Sequence, residues 1–112
     1  MALVQDLFFV ARIRETARLV DVPLVFARTP DEVSGALAAP ARLVLVDLTG
    51  RLDHGRLFDA VDAVMPRPPV LGFTTHALAA VSKGWHSRCD RVVTKETLTQ
   101  ELPTLLKGGV AA

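Results

Sequence analysis

Leu43-Val44-Leu45-Val46-Asp47-Leu48 is apolar on both alternating faces, with Asp47 the only interruption. A strand with one wet face would alternate apolar and polar residues, so this run predicts a central strand of a parallel sheet, covered by helices on both sides. Working outward, short apolar runs alternate with helical patterns along the whole chain, as in βαβ units. Ala2 to Val4 is a first strand, stopped by Gln5 and Asp6, and Phe9, Val10, Ile13, Ala17 and Val20 follow at helical spacing opposite Arg12, Glu15 and Arg18. Asp21 and Pro23 interrupt that helix, and Leu24 to Ala27 is a second strand. Thr29-Pro30-Asp31-Glu32 starts the second helix: Thr29 caps, Pro30 sits where no amide hydrogen is needed, and Glu32 can reach back as a capping box. Gly35 weakens this helix and Pro40 ends it.

Beyond the central run, a loop from Thr49 to Gly55 leads to Leu57, Phe58, Val61, Val64 and Met65 at helical spacing, stopped by Pro66, Pro68 and Pro69. Val70 to Phe73 is the fourth strand, Ala77 to Trp85 a short weak helix, Arg91 to Thr94 the fifth strand, and Leu98, Leu102, Leu105 and Leu106 mark a terminal helix face. Pro103 predicts a kink in that last helix, or a start later than Thr97. The expected fold class is α/β: a doubly wound, flavodoxin-like, five-stranded parallel sheet with helices on both faces, for which the expected order is 2-1-3-4-5. One domain spans residues 1–107, and 108–112 form a short tail.

Composition bounds the function. The chain has 112 residues, half of them apolar, so it can bury a core without metals or disulfides. A formal net charge of +1 with no basic block argues against direct nucleic-acid binding. The single cysteine, Cys89, reads as a small buried hydrophobe, and His54, His76 and His86 lack a metal-ligand spacing. The start MALVQDLFF has no basic leader, and no apolar run reaches the roughly 20 residues that span a bilayer, so a cytoplasmic protein without membrane contact is expected.

Asp6, Asp47, Thr74 and Lys95 each fall at or just past the carboxyl end of a predicted strand. In open parallel sheets that edge carries the ligand crevice, so these four should converge. Carboxylates suit Mg²⁺, while a lysine and a threonine hydroxyl suit phosphoryl oxygens.

With these residues in place, the chain resembles the response-regulator receiver family over nearly its whole length. The resemblance implies that Asp47, ending LVLVD, is the phosphoacceptor, and that Asp6 is the second acid of the paired acidic site. Thr74, ending VLGFT, is similar to the hydroxyl residue after the fourth strand, and Lys95, in RVVTK, to the lysine after the fifth, where a pair with Asp47 is expected. Thr49 holds the position whose backbone carbonyl would join Asp6 and Asp47 on Mg²⁺. The function implied is a stand-alone receiver-like domain in phosphorelay signalling, a phosphoprotein acting through protein partners such as a histidine kinase or a downstream effector, or through a homodimer. No output domain is expected after Gly108-Gly109. No enzymatic activity is expected beyond self-phosphorylation of Asp47 from a phosphodonor.

Three positions depart from the family pattern. Gln5 stands where the first acid of the pair belongs, which predicts weak Mg²⁺ binding; Glu96 replaces the proline after the lysine; and Val92 replaces the switching aromatic on the fifth strand. These departures open the alternative of a pseudo-receiver that docks independently of phosphorylation. A different class, a small flavodoxin-like ligand-binding domain or enzyme, would use the same crevice, but Gln5-Asp6-Leu7-Phe8 is no Gly-rich phosphate loop.

Overall fold

A computed structural model of the chain describes residues 1–39, 41–49, 51–75, 78 and 83–108. Among these residues, four strands form one all-parallel sheet: β1 (Ala2–Leu3), β2 (Val44–Asp47), β3 (Val70–Thr74) and β4 (Arg91–Thr94), lying side by side in that order. The register pairs Leu3 with Val46, Asp47 with Phe73, and Thr74 with Thr94, so the carboxyl ends of all four strands lie along one edge.

Among the described residues, four α-helices cover the sheet: α1 (Leu7–Leu19), α2 (Pro30–Ala36), α3 (His54–Asp62) and α4 (Lys95–Gly108). Strand alternation divides the core in two. Leu43, Leu45, Leu71 and Phe73 pack with Val10, Ile13 and Ala17 of α1 and Leu98, Leu102 and Leu105 of α4. Val44, Val46 and Val70 face the other way, onto Val33 of α2 and Leu57, Phe58 and Val61 of α3. β2 is buried throughout, as its two apolar faces require.

The helix ends follow from local chemistry. Asp6 caps α1, accepting from the amides of Phe8 and Phe9 at 3.0 and 3.2 Å. At the far end, Asp21 takes a left-handed φ of 57°, while the amides of Asp21 and Val22 bond back to Arg18 and Ala17 in a Schellman arrangement. Thr29 caps α2 through the Glu32 amide at 3.2 Å. Asp53 caps α3 through the Arg56 amide at 3.3 Å, so this helix starts at His54, ahead of the Leu57 where its apolar pattern begins. It ends at Asp62, leaving Met65 in the following loop and 86 % exposed, not in the core.

Other expectations also change. The run at 24–27 makes a single parallel bridge, Ala2 to Phe26, beside the outer edge of β1. Its backbone bonds run from the Ala2 amide to the Val25 carbonyl at 2.9 Å and from the Ala27 amide to the Ala2 carbonyl at 3.1 Å, beside a β1 only two residues long. α4 begins at Lys95 directly after β4 and runs through Pro103, whose exposed position lets water replace the backbone bond that proline removes. The predicted helix over Ala77 to Trp85 lies largely outside the described residues; its last part, Lys83–Arg88, is a 3₁₀ helix. Pro40, and the tail beyond Gly108, also lie outside them.

Gly72 permits the closest packing in the sheet. A Cβ there would sit 2.7 Å from Cys89 Sγ and 2.9 Å from Leu48 Cδ1. Burial pushes the Cys89 thiol up to about 11, so it fills space and stays protonated at neutral pH. Around this contact, Arg67 binds Asp62 at 2.6 Å and Asp90 at 3.1 Å, Arg88 binds Asp62 at 2.8 Å and Asp59 at 3.0 Å, and Asp90 accepts from the Val70 amide at 2.7 Å. The network ties the end of α3 to the start of β3 and to the segment that leads into β4.

Gly72→Ala should destabilise the domain by about 1–3 kcal/mol in urea unfolding, with part of the loss recovered by Cys89→Ala in the same chain, because the overpacked atom is then gone. Hydrogen bonding from Arg67, helped by Arg88, holds the Asp62 carboxyl below the usual carboxylate range. Stability from Asp62 is therefore complete above the unfolded-state value and is lost as pH falls through the depressed folded value. Asp62→Asn should flatten the stability–pH curve below about pH 4 and leave its shape near neutrality unchanged.

Candidate functional site

Among the described residues the buried polar side chains are Asp47, His54 and Thr74. Asp47 ends β2 and Thr74 ends the neighbouring β3, while His54 opens the helix that follows β2. Burying polar groups is unfavourable unless they are bonded, so their concentration at the carboxyl edge marks it as the chemically loaded part of the fold.

Asp47 is 2 % exposed and is held from both ends. Its Oδ1 accepts from the Thr49 amide at 2.9 Å and the Thr49 hydroxyl at 2.7 Å. Its backbone carbonyl accepts from His54 Nε2 at 2.7 Å, which requires that nitrogen to carry a proton. Thr74 Oγ1 lies 3.4 Å from the Thr75 carbonyl, to which it donates.

Asp6 and Lys95 come together above β1 and β4. Lys95 Nζ lies 3.8 Å from Asp6 Oδ2 and 5.4 Å from the centre of the Phe9 ring, which itself stacks on Phe73 at 5.1 Å. Among the described residues Asp47 has no ion pair, so the expected Lys95–Asp47 pair is replaced by Lys95–Asp6. The pairing follows the helix layer: α1 and α4 pack side by side on one face of the sheet, so Lys95, first in α4, meets the cap residue of α1. Of the four edge residues, Asp6 and Lys95 form an ion pair, and Asp47 is bonded by Thr49.

Gln5 is exposed, Glu96 is exposed in the first turn of α4, and Val92 is half-buried against the α2–α3 side of the core. No three His, Cys, Asp or Glu side chains among the described residues are grouped to hold a metal. Of the expected Mg²⁺ donors, Asp6 caps α1 with one oxygen and faces an ammonium with the other, and Oδ1 of Asp47 accepts from Thr49.

Sequence reading gave His54 no role beyond a rejected zinc one. Its contact with Asp47 spans seven residues, and neither periodicity nor a motif signals it. A cavity of about 450 Å³ lies at the opposite, amino edge, lined by Met1, Pro23, Leu24, Leu43 and Leu106 among others, away from all of these groups. No protein-family model matches the chain, and neither curated proteins nor solved structures give a match.

Asp6 serves two roles that substitution separates. Asp6→Ala loses the cap and should cost about 0.5–2 kcal/mol. Asp6→Asn keeps a capping oxygen and loses only the ion pair to Lys95, at under about 1 kcal/mol because both partners are partly solvated. Urea unfolding at low and high salt checks both values, and the Asp6→Asn difference should shrink at high salt.

Proposed function

We propose that the chain is a receiver-like signalling domain that works by docking onto protein partners, with Asp47 as a slow phosphoryl acceptor. One observation carries this reading: the buried polar residues of the described chain gather at the carboxyl ends of β2 and β3, beside the Asp6–Lys95 pair. In this reading the run at 24–27 is the outermost strand of a flavodoxin-like sheet in order 2-1-3-4-5, a placement supported by its parallel bridge to Ala2. The domain is read as cytoplasmic; among the described residues no helix is long and apolar enough to cross a membrane.

Acceptance of a phosphoryl group would proceed by attack of Asp47 Oδ2 on the phosphorus of an acyl phosphate. The new O–P bond forms as the bond to the leaving carboxylate breaks, and that carboxylate departs with the electron pair. Thr49 slows the step, since its hydroxyl and amide draw electron density from the same carboxylate. Mg²⁺ binds weakly, because Gln5 is neutral and Lys95 already neutralises Asp6. A docking role is supported by Leu7 and Phe8, which are 73 % and 91 % exposed at the start of α1, next to Asp6. Exposed apolar side chains beside a charged site suit a protein partner such as a histidine kinase, an effector or a second copy.

Intact mass after incubation with acetyl phosphate and Mg²⁺ tests the acceptor role. Wild type should gain one phosphoryl group slowly, Gln5→Asp should gain it faster and bind Mg²⁺ more tightly, and Asp47→Asn should gain none. Absence of the adduct in both wild type and Gln5→Asp would remove phosphoryl acceptance and leave a phosphorylation-independent docking module.

A further inference from the structure

His54 is 7 % exposed and touches two elements of different kinds. Its Nε2 donates to the Asp47 carbonyl at 2.7 Å, and its ring lies 5.6 Å from the Trp85 ring at an interplanar angle of 32°. Trp85 stacks on Phe58 at 5.8 Å, and its backbone carbonyl accepts from the Cys89 thiol at 3.6 Å. A Cβ at Gly55 would lie 3.8 Å from the Trp85 ring, so the indole is seated directly over the start of α3.

We infer that His54 is a positioning residue that couples the Asp47 turn to Trp85, so that a change at the Asp47 carboxylate is read on the Lys83–Arg88 helix. The coupling deepens the receiver-like reading, since it gives the proposed acceptor site a local route to the surface. Its physical basis is that Asp47 is gripped at both ends. Thr49 holds the carboxylate and His54 holds the carbonyl of the same residue. When the carboxylate loses its Thr49 partner, gains a substituent or changes charge, the turn at 47–49 re-seats and moves the carbonyl that orients the imidazole. The imidazole contacts Trp85, and Trp85 packs against the same side of the core as Val92 and Cys89. Val92 has no ring to swing, whereas Trp85 is half-buried on a short 3₁₀ segment and presents a large surface to its neighbours. The route needs no rotor on β4.

The chain contains one tryptophan, so its emission reports Trp85 alone. The test is a double-mutant cycle read by that emission. The carboxylate end is altered by Thr49→Val, which removes the hydroxyl donor, and separately by Asp47→Asn. The relay is altered by His54→Phe, which keeps a ring against Trp85 without the donor, and by His54→Gln, which keeps a donor without the ring. Each carboxylate variant should shift the Trp85 emission maximum when His54 is present, and the shift should vanish in both His54 backgrounds. A purely structural His54 would change the melting temperature and leave the shift intact. Far-UV circular dichroism establishes folding, and Thr49→Val carries the cycle should Asp47→Asn not fold. A shift that persists in both His54 backgrounds overturns the coupling, as does its absence from folded carboxylate variants that retain His54. The cycle needs no phosphodonor, so its failure is distinguishable from failure of phosphoryl acceptance, which the mass measurement reads.

Discussion

A carboxylate at the buried end of a central strand has to bring its own donors with it. Asp47 meets that requirement within seven residues: the Thr49 amide and hydroxyl serve Oδ1, and His54 serves the carbonyl. Three hydrogen bonds on one residue, two to its side chain and one to its carbonyl, hold this turn at the carboxyl edge. Through His54, the first residue of α3, it ties the end of β2 to the start of that helix. α3 in turn carries Leu57, Phe58 and Val61 into one half of the core and presents Asp59 and Asp62 to Arg67 and Arg88.

Among the described residues the sheet lies between the two halves of the core, and packing on each face depends on small details of it. Gly72 lets Cys89 and Leu48 meet over β3, and the Arg67–Asp90 contact closes the connection that returns the chain to β4. On the other face, Phe9 and Phe73 stack beneath the Lys95–Asp6 pair, so the ammonium rests partly on aromatic surface. A cation already engaged by a ring and a carboxylate is poorly placed to serve a neighbouring strand. That is why the edge divides into an Asp6–Lys95 corner and an Asp47–Thr49–His54 corner.

This division bears on the signalling proposal. Under that proposal, Asp47, wrapped by its own turn, would accept a phosphoryl group slowly, and Leu7 and Phe8, exposed after Asp6, would offer contact that needs no modification. The absence of an aromatic at position 92 removes one means of transmitting a change, and the ring contact between His54 and Trp85 supplies material for another.

Much of the fold was legible because it rests on periodicity. Leu43 to Leu48 is apolar on both faces and lies at the centre of the sheet; Thr29 caps where its side chain and Pro30 say a helix starts; the leucines of α4 face inward at their spacing. The positions of Asp6, Asp47, Thr74 and Lys95 at strand ends were likewise readable from where the apolar runs stop. What the sequence did not determine were pairings between elements. That Lys95 turns to Asp6, that His54 reaches the Asp47 carbonyl, that Asp53 and not the first apolar residue starts α3, and that 24–27 makes one bridge to β1 depend on distances set by the packed layers. Periodicity tells a residue which face it occupies, because that is a property of its own segment. Which partner it meets there is set by how two segments pack, and only the tertiary structure supplies that.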